Sequence, residues 1–272
     1  MNLWLSVILL AIIQGITEFL PVSSSGHMAL LSALLGFEEP DAVSLEIVLH
    51  AGSLVAILLV YFKELVKFLR PERLKLLGML IVATIPAGVA GVLIKHCGIY
   101  DKMVGDLLLT GVGFLVTGAL LRLTGVKKLT ARSEGPEATP IEKITLRQAI
   151  LIGVAQMFAI TPGISRSGST ISTAILSGVE RGGAAAFSFL LAIPVIGGAT
   201  LLELKKLCSR SAGDGIPAPI LLAGFAVSAL VSFGALTLLL KLVRRGKFSH
   251  FSWYMLALGA AVVLRQLIAA VR

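Results

Sequence analysis

The chain has 272 residues, of which 56% are hydrophobic and 14% charged, with a mean hydropathy of +0.94. A soluble domain carries about a quarter charged residues, so a water-soluble globule is excluded and lipid must contact most of the surface. The net charge of +9 does not mark a nucleic-acid binder, because Lys and Arg gather at the ends of apolar segments.

The chain opens with residues 2–35, apolar at first but without a basic leader or a small-residue cleavage site, so no removed signal peptide is expected. The apolar run breaks at Gln14-Gly-Ile-Thr-Glu18-Phe-Leu-Pro21-Val-Ser23-Ser24-Ser25-Gly26-His27. Apolar stretches of about spanning length follow at 44–62, 74–95 and 104–123. Residues 124–144 are polar, with Gly135, Pro136 and Pro140, and read as an extramembrane loop. A second broken region occupies 145–178 and contains Gln156-Met-Phe-Ala-Ile-Thr161-Pro162-Gly163-Ile-Ser165-Arg166-Ser167-Gly168-Ser169-Thr170. Three more spans are expected at 181–205, 217–242 and 250–270. Cys97 and Cys208 lie far apart, form no CxxC, and read as unpaired thiols.

Each broken region has room for two short helices but is interrupted by Pro, Gly and Ser. Unpaired backbone is costly in lipid, so each predicts a pair of half-helices that enters the bilayer and returns. The expected fold class is therefore an all-α integral membrane protein, with six transmembrane helices plus two re-entrant half-helix pairs. Counting those pairs as re-entrant puts most Lys and Arg on one side, including Lys63, Lys67, Arg70, Arg73, Lys127, Lys128, Arg132 and Arg244. The other side holds fewer, among them Lys95, Lys102, Lys205, Lys206, Arg210, Arg265 and Arg272. The richer side is expected to be cytoplasmic, which puts both termini outside and brings the two broken regions together from opposite faces.

The two regions also match each other. Gln156 follows Gln14 by 142 residues, and Gly168 follows Gly26 by the same offset. With opposed directions this reads as an inverted repeat within a single membrane domain over 1–272: 1–123, a cytoplasmic linker at 124–144, and 145–272.

The chemistry belongs to phosphate. Ser25-Gly26-His27 and Ser167-Gly168-Ser169 would each open a half-helix, whose unpaired N–H groups and partial positive charge suit an anion. Ser23, Ser24, Ser25, Ser165, Ser167 and Thr170 add hydroxyls, and Gln14 and Gln156 add amides. Arg166 adds a planar fork matched to phosphate oxygens, with Glu18 as its alternative partner. Glu18 is a candidate base or holder of a divalent cation. His27 is a candidate general base, acid or phosphoryl acceptor, and Ser24 a candidate nucleophile that His27 would activate. His50, inside a span, and His96 and His250, at segment ends, read as structural, and Glu46 and Asp106 as capping or interfacial.

Together, Gln14-x-x-x-Glu18-Phe-Leu-Pro-Val-Ser-Ser-Ser-Gly-His27 and Pro162-Gly-Ile-Ser-Arg166-Ser-Gly-Ser-Thr170 closely resemble the bacterial undecaprenyl-pyrophosphate phosphatases of the bacitracin-resistance type. The resemblance runs over essentially the whole chain. It implies a plasma-membrane enzyme that removes the terminal phosphate of an isoprenoid pyrophosphate, recycles the lipid carrier for peptidoglycan assembly and confers bacitracin resistance. It also implies an outward-facing site and dependence on Mg²⁺ or Ca²⁺. By position, the family's acidic motif falls on Gln14 and Glu18, its Ser/His element on Ser23, Ser24, Ser25 and His27, and its Arg motif on Ser165, Arg166 and Ser167. Many members carry Glu where this chain has Gln14, so a clamp of two carboxylates is absent. The competing reading is a lipid-phosphate transporter or flippase, since inverted repeats with broken helices also build transporters. The partners expected are the pyrophosphate lipid and membrane lipid, not nucleic acid. Oligomeric state is left open, with a homodimer as one candidate.

Overall fold

The computed structural model describes residues 2–35, 41–68, 70–208 and 216–271. Arg210 and Arg272, counted above among the basic residues, lie outside that set. Among the described residues thirteen α-helices follow in order: α1 (Leu3–Thr17), α2 (Ser24–Leu35), α3 (Asp41–Val60), α4 (Phe62–Lys67), α5 (Leu74–His96), α6 (Ile99–Gly105), α7 (Leu107–Leu123), α8 (Lys127–Glu134), α9 (Leu146–Phe158), α10 (Arg166–Leu176), α11 (Arg181–Cys208), α12 (Ala218–Arg244) and α13 (Phe251–Val271). Among the described residues the only strand-like pairing is one isolated bridge, Thr139 to Val179.

Both broken regions are helix pairs. α1 and α9 have 15 and 13 residues. At ~1.5 Å per residue each is only about 20 Å long, short of the ~30 Å of hydrocarbon that a full crossing needs. Local chemistry sets their starts. The Asn2 side chain caps α1 by accepting from the Trp4 N–H, and Thr145 and Gln148 close a reciprocal capping box on α9. Asp106 caps α7 through the Leu109 N–H, which is the capping role expected of it.

Four helices, α5, α11, α12 and α13, are long and apolar enough to cross a membrane. α7 makes a fifth only if it is counted with α8, across a bend of 64°. α3 runs 20 residues from Asp41 to Val60 and is apolar from Leu45 on. Of the six spans that the sequence led us to expect, four stand among the described residues by length and composition, or five with the bent pair. The α7 helix has 17 residues and ends at Leu123, just before the Thr124-Gly125 turn. The 124–144 segment is not wholly loop, since it contains α8.

The helices pack in matched pairs: α1 against α12 and α9 against α5, with α3 against α11 and α7 against α13. Small residues allow the first two contacts. A Cβ on Gly15 would lie 2.8 Å from the Val231 side chain, and one on Gly153 would lie 2.6 Å from the Ala83 carbonyl oxygen. Between α3 and α12, buried hydroxyls act as glue: Ser53 Oγ lies 2.9 Å from Ser232 Oγ, and Ser228 Oγ donates to the Leu49 carbonyl at 2.7 Å. That seam fixes the turn of α3 that carries His50. The main apolar core surrounds the first broken turn, where Phe19 is fully buried and meets Phe189 edge-to-face at 5.7 Å.

Candidate active site

The turn between α1 and α2 and the turn between α9 and α10 meet, and they are built alike. In the first, the Ser23 hydroxyl accepts from the Gly26 N–H at 3.4 Å and lies 3.3 Å from Ser25 Oγ, while the His27 N–H bonds the Ser23 carbonyl. In the second, the Ser165 hydroxyl accepts from the Gly168 N–H at 3.1 Å and lies 3.2 Å from Ser167 Oγ, while the Ser169 N–H bonds the Ser165 carbonyl. These are Ser N-caps that satisfy donors in the first turn of each half-helix. Ser23 sits at φ 65°, the left-handed region disfavoured for a residue with a Cβ. The second turn places its left-handed residue at Gly163, φ 86°, pressed against the Thr110 carbonyl of α7. Thr117 of α7 locks this turn by donating to the Gly163 carbonyl at 3.0 Å and accepting from the Ser165 N–H at 2.9 Å. Ser167 ties the turns together by donating to the Leu20 carbonyl at 3.1 Å.

Glu18 is the hub. It is 7% exposed, and both carboxylate oxygens are engaged. Oε1 accepts from Arg166 Nη2 at 2.7 Å, across the two turns. Oε2 accepts from Ser24 Oγ at 2.6 Å and from Gln14 Nε2 at 3.0 Å, and His50 Nε2 stands 3.3 Å away. The structure therefore brings Gln14, Glu18, Ser24 and Arg166 into one cluster. Ser23, Ser25, Ser165 and Ser167 form its walls. Ser24, Ser25, His27 and Arg166 remain partly exposed, whereas Gln14 and Glu18 are buried.

Three features differ from the sequence reading. First, Ser24 donates its proton to Glu18, so the base placed beside Ser24 is the carboxylate and not His27. Second, His50 belongs to the cluster rather than to the scaffold. Its Nδ1 bonds the Glu46 carbonyl at 2.9 Å and its Nε2 faces Glu18. The available signal was an ionisable residue inside a span, which marks function by default. Third, Thr170 is turned inward. Its hydroxyl donates to the Arg166 carbonyl at 2.8 Å and meets Ser188 of α11 at 2.5 Å, so it supports α10. Gln156 is 2% exposed, and both of its amide atoms lack hydrogen-bond partners among the described residues.

His27 stands at the edge of this cluster. Its Nδ1 lies 2.9 Å from the Ser23 carbonyl, an acceptor, so Nδ1 carries the hydrogen and Nε2 keeps the lone pair. Nε2 meets the Tyr254 hydroxyl of α13 at 2.7 Å, and Phe114 of α7 lies against the ring at 5.4 Å. Sequence reasoning missed Tyr254 and Thr117, because both come from spans that are distant in the chain and lack a local motif.

Buried polar atoms without partners occur here as well. Gln14 Oε1 and Arg166 Nη1 are among them. Such atoms cost free energy unless something polar meets them. A positively charged fork and two capped helix starts fit an oxyanion.

The family model for the bacitracin resistance protein BacA matches residues 7–261. The chain belongs to the BacA family. Relatives of this BacA chain include the undecaprenyl-diphosphatase of Rhodopirellula baltica, 40% identical over 261 residues that cover 96% of this chain and 97% of that protein. The undecaprenyl-diphosphatase of Desulfatibacillum aliphaticivorans is 40% identical, covering 96% and 98%. That of Carboxydothermus hydrogenoformans is 35% identical, covering 95% and 96%. With the apolar helices above, BacA membership makes this a multi-pass membrane protein.

A divalent cation has limited support among the side chains. Among the described residues, no group of three or more His, Cys, Asp and Glu is placed to hold a metal. Gln14 Oε1, however, is buried without a partner one turn before Glu18. One carboxylate plus one amide oxygen suits a hard ion such as Mg²⁺, which usually completes its shell with substrate phosphate oxygens and water.

Proposed function

We propose that the chain hydrolyses undecaprenyl diphosphate to undecaprenyl phosphate and inorganic phosphate, returning the lipid carrier to cell-wall synthesis and so conferring bacitracin resistance. The observation that carries this reading is Glu18 bonded at once by Ser24 of one turn and Arg166 of the other. That cluster joins a nucleophile type, a carboxylate and a phosphate-binding cation, which pure transport does not require. The names of the relatives point the same way, and the transporter reading gains nothing from them.

The diphosphate is received by the unpartnered Nη1 of Arg166 and by the N-termini of α2 and α10. Arg166 and the helix ends stabilise charge on the phosphoryl oxygens, which dominates such transfers. The nucleophile is Ser24 Oγ, whose proton passes to Glu18, or His27 Nε2, once its lone pair leaves the Tyr254 hydroxyl. Attack at the terminal phosphorus breaks its bond to the bridging oxygen, so undecaprenyl phosphate leaves; water then cleaves the phosphoenzyme and releases inorganic phosphate. Glu18 and Gln14 would hold Mg²⁺ or Ca²⁺, and the ion would add charge stabilisation on the diphosphate when bound.

The same reading places six spanning helices around two re-entrant pairs in inverted repeats. The paired packing of α1 on α12 and α9 on α5 supports it, as does the shared capping pattern. Both termini and the opening face the outer side, as the Lys and Arg distribution supports. A homodimer is the assembly we would test first.

The test is phosphate release from undecaprenyl or farnesyl diphosphate by the purified protein in detergent. Release that EDTA abolishes and Mg²⁺ or Ca²⁺ restores is the expected result. No release with any metal would overturn the assignment. Phosphoenzyme trapping in Ser24→Ala and His27→Ala then distinguishes the two nucleophiles.

A further inference from the structure

We propose that Tyr254 is a positioning residue for the hydrolysis: its phenol holds the reactive nitrogen of His27 until the diphosphate arrives and then gives that nitrogen up. The inference rests on the phosphatase reading and extends it to a residue outside both motifs. Nδ1 of His27 is held by the Ser23 carbonyl, so any chemistry at this ring runs through Nε2. The Tyr254 hydroxyl stands 2.7 Å from that atom, with the rings stacked at 5.8 Å between centroids and 15° between planes. A lone pair that accepts from a phenol cannot attack phosphorus or take a proton, so this contact must break during turnover.

The fold makes the contact reproducible. α13 lies against α7 through close glycine approaches, such as Gly118 to Leu256 and Gly259 to Leu115, and α7 supplies Phe114 to the other side of the His27 ring. Tyr254 is nevertheless 49% exposed, so its ring has room to swing away. His27 is thereby clamped in rotamer and shielded at Nε2 by one removable group. Tyr254 acts through His27 rather than on the substrate.

Two measurements on the full-length protein test this. In phosphate-release kinetics, Tyr254→Phe keeps the ring but loses the hydroxyl. The contact is present before the diphosphate arrives and gone when Nε2 reacts, so its loss should lower KM several-fold and leave kcat within about twofold. A KM that does not fall would overturn the proposal, and so would a kcat lowered about tenfold or more. The second readout needs no activity: carbethoxylation of His27 by diethyl pyrocarbonate, followed by mass spectrometry. Tyr254→Phe should expose Nε2 and speed labelling several-fold, and inorganic pyrophosphate should change the wild-type rate. Equal rates in wild type and variant would sink the proposal whatever the kinetics. Absence of phosphate release by wild type would instead count against the phosphatase reading, and the labelling result would still decide the role of Tyr254.

Discussion

The turn before α2 and the turn before α10 share a scaffold and divide the chemistry. Residues 142 apart do the same structural work: Ser23 and Ser165 cap, Ser25 and Ser167 support, and Gly26 and Gly168 donate the capped N–H. The position between the serines differs. It is Ser24 in one turn and Arg166 in the other, and the two side chains bind opposite oxygens of one carboxylate. Glu18 itself has Ile160 at its counterpart, and His27 has Ser169. Two turns with one capping pattern thus differ in what they present: the first carries Glu18, Ser24 and His27, the second Arg166. The left-handed residue also differs, being Ser23 in the first and Gly163 in the second.

The comparison is open to direct attack. Arg166→Ala should lower phosphate release about 10²-fold or more, the usual cost of one electrostatic group at a reacting centre. Near-normal turnover would show that the second turn is scaffold alone. Gly163→Ala places a Cβ against the Thr110 carbonyl at a positive φ, and should cost about 2–3 kcal/mol in unfolding measurements. An unperturbed variant would mean that this turn is loose and that α7 does not lock it.

Ser165→Ala should cost about 1 kcal/mol through the lost cap. Ser23→Gly should cost less than Ser165→Gly, because glycine relieves the left-handed backbone that Ser23 occupies and Ser165 does not. Equal losses for the two glycine variants, read by thermal melting, would remove that distinction.

The smallest effect lies at a strap that joins α8 to the start of α11. Arg181 hydrogen-bonds Glu134, with Nε at 3.0 Å, and holds its carboxyl below the usual value of 4.5. Since the folded value is the lower one, this stabilisation is present above the unfolded value and is lost as pH falls through the folded one. A slight drop in melting temperature as pH falls below the unfolded value of 4.5 should be smaller in Glu134→Gln. Identical profiles would show that the strap carries nothing.

Much of this was legible in the chain itself. Spacing and helix-breaking residues located both turns, because a Pro, Gly and Ser cluster in an apolar run has few stable forms in lipid. The helix pairs α1 with α2 and α9 with α10 fall within residues 2–35 and 145–178, where the breaks led us to expect two short helices each. Glu18, Ser24, His27 and Arg166 were also nameable, since each is a reactive type inside those turns. What the sequence could not determine is which of them touch. Glu18 receives Ser24, Arg166 and His50 from three separate segments, and His27 receives Tyr254 from the last helix. Those pairings depend on how α3, α7 and α13 pack around the turns. Packing is long-range and leaves no periodic trace in any one stretch of residues.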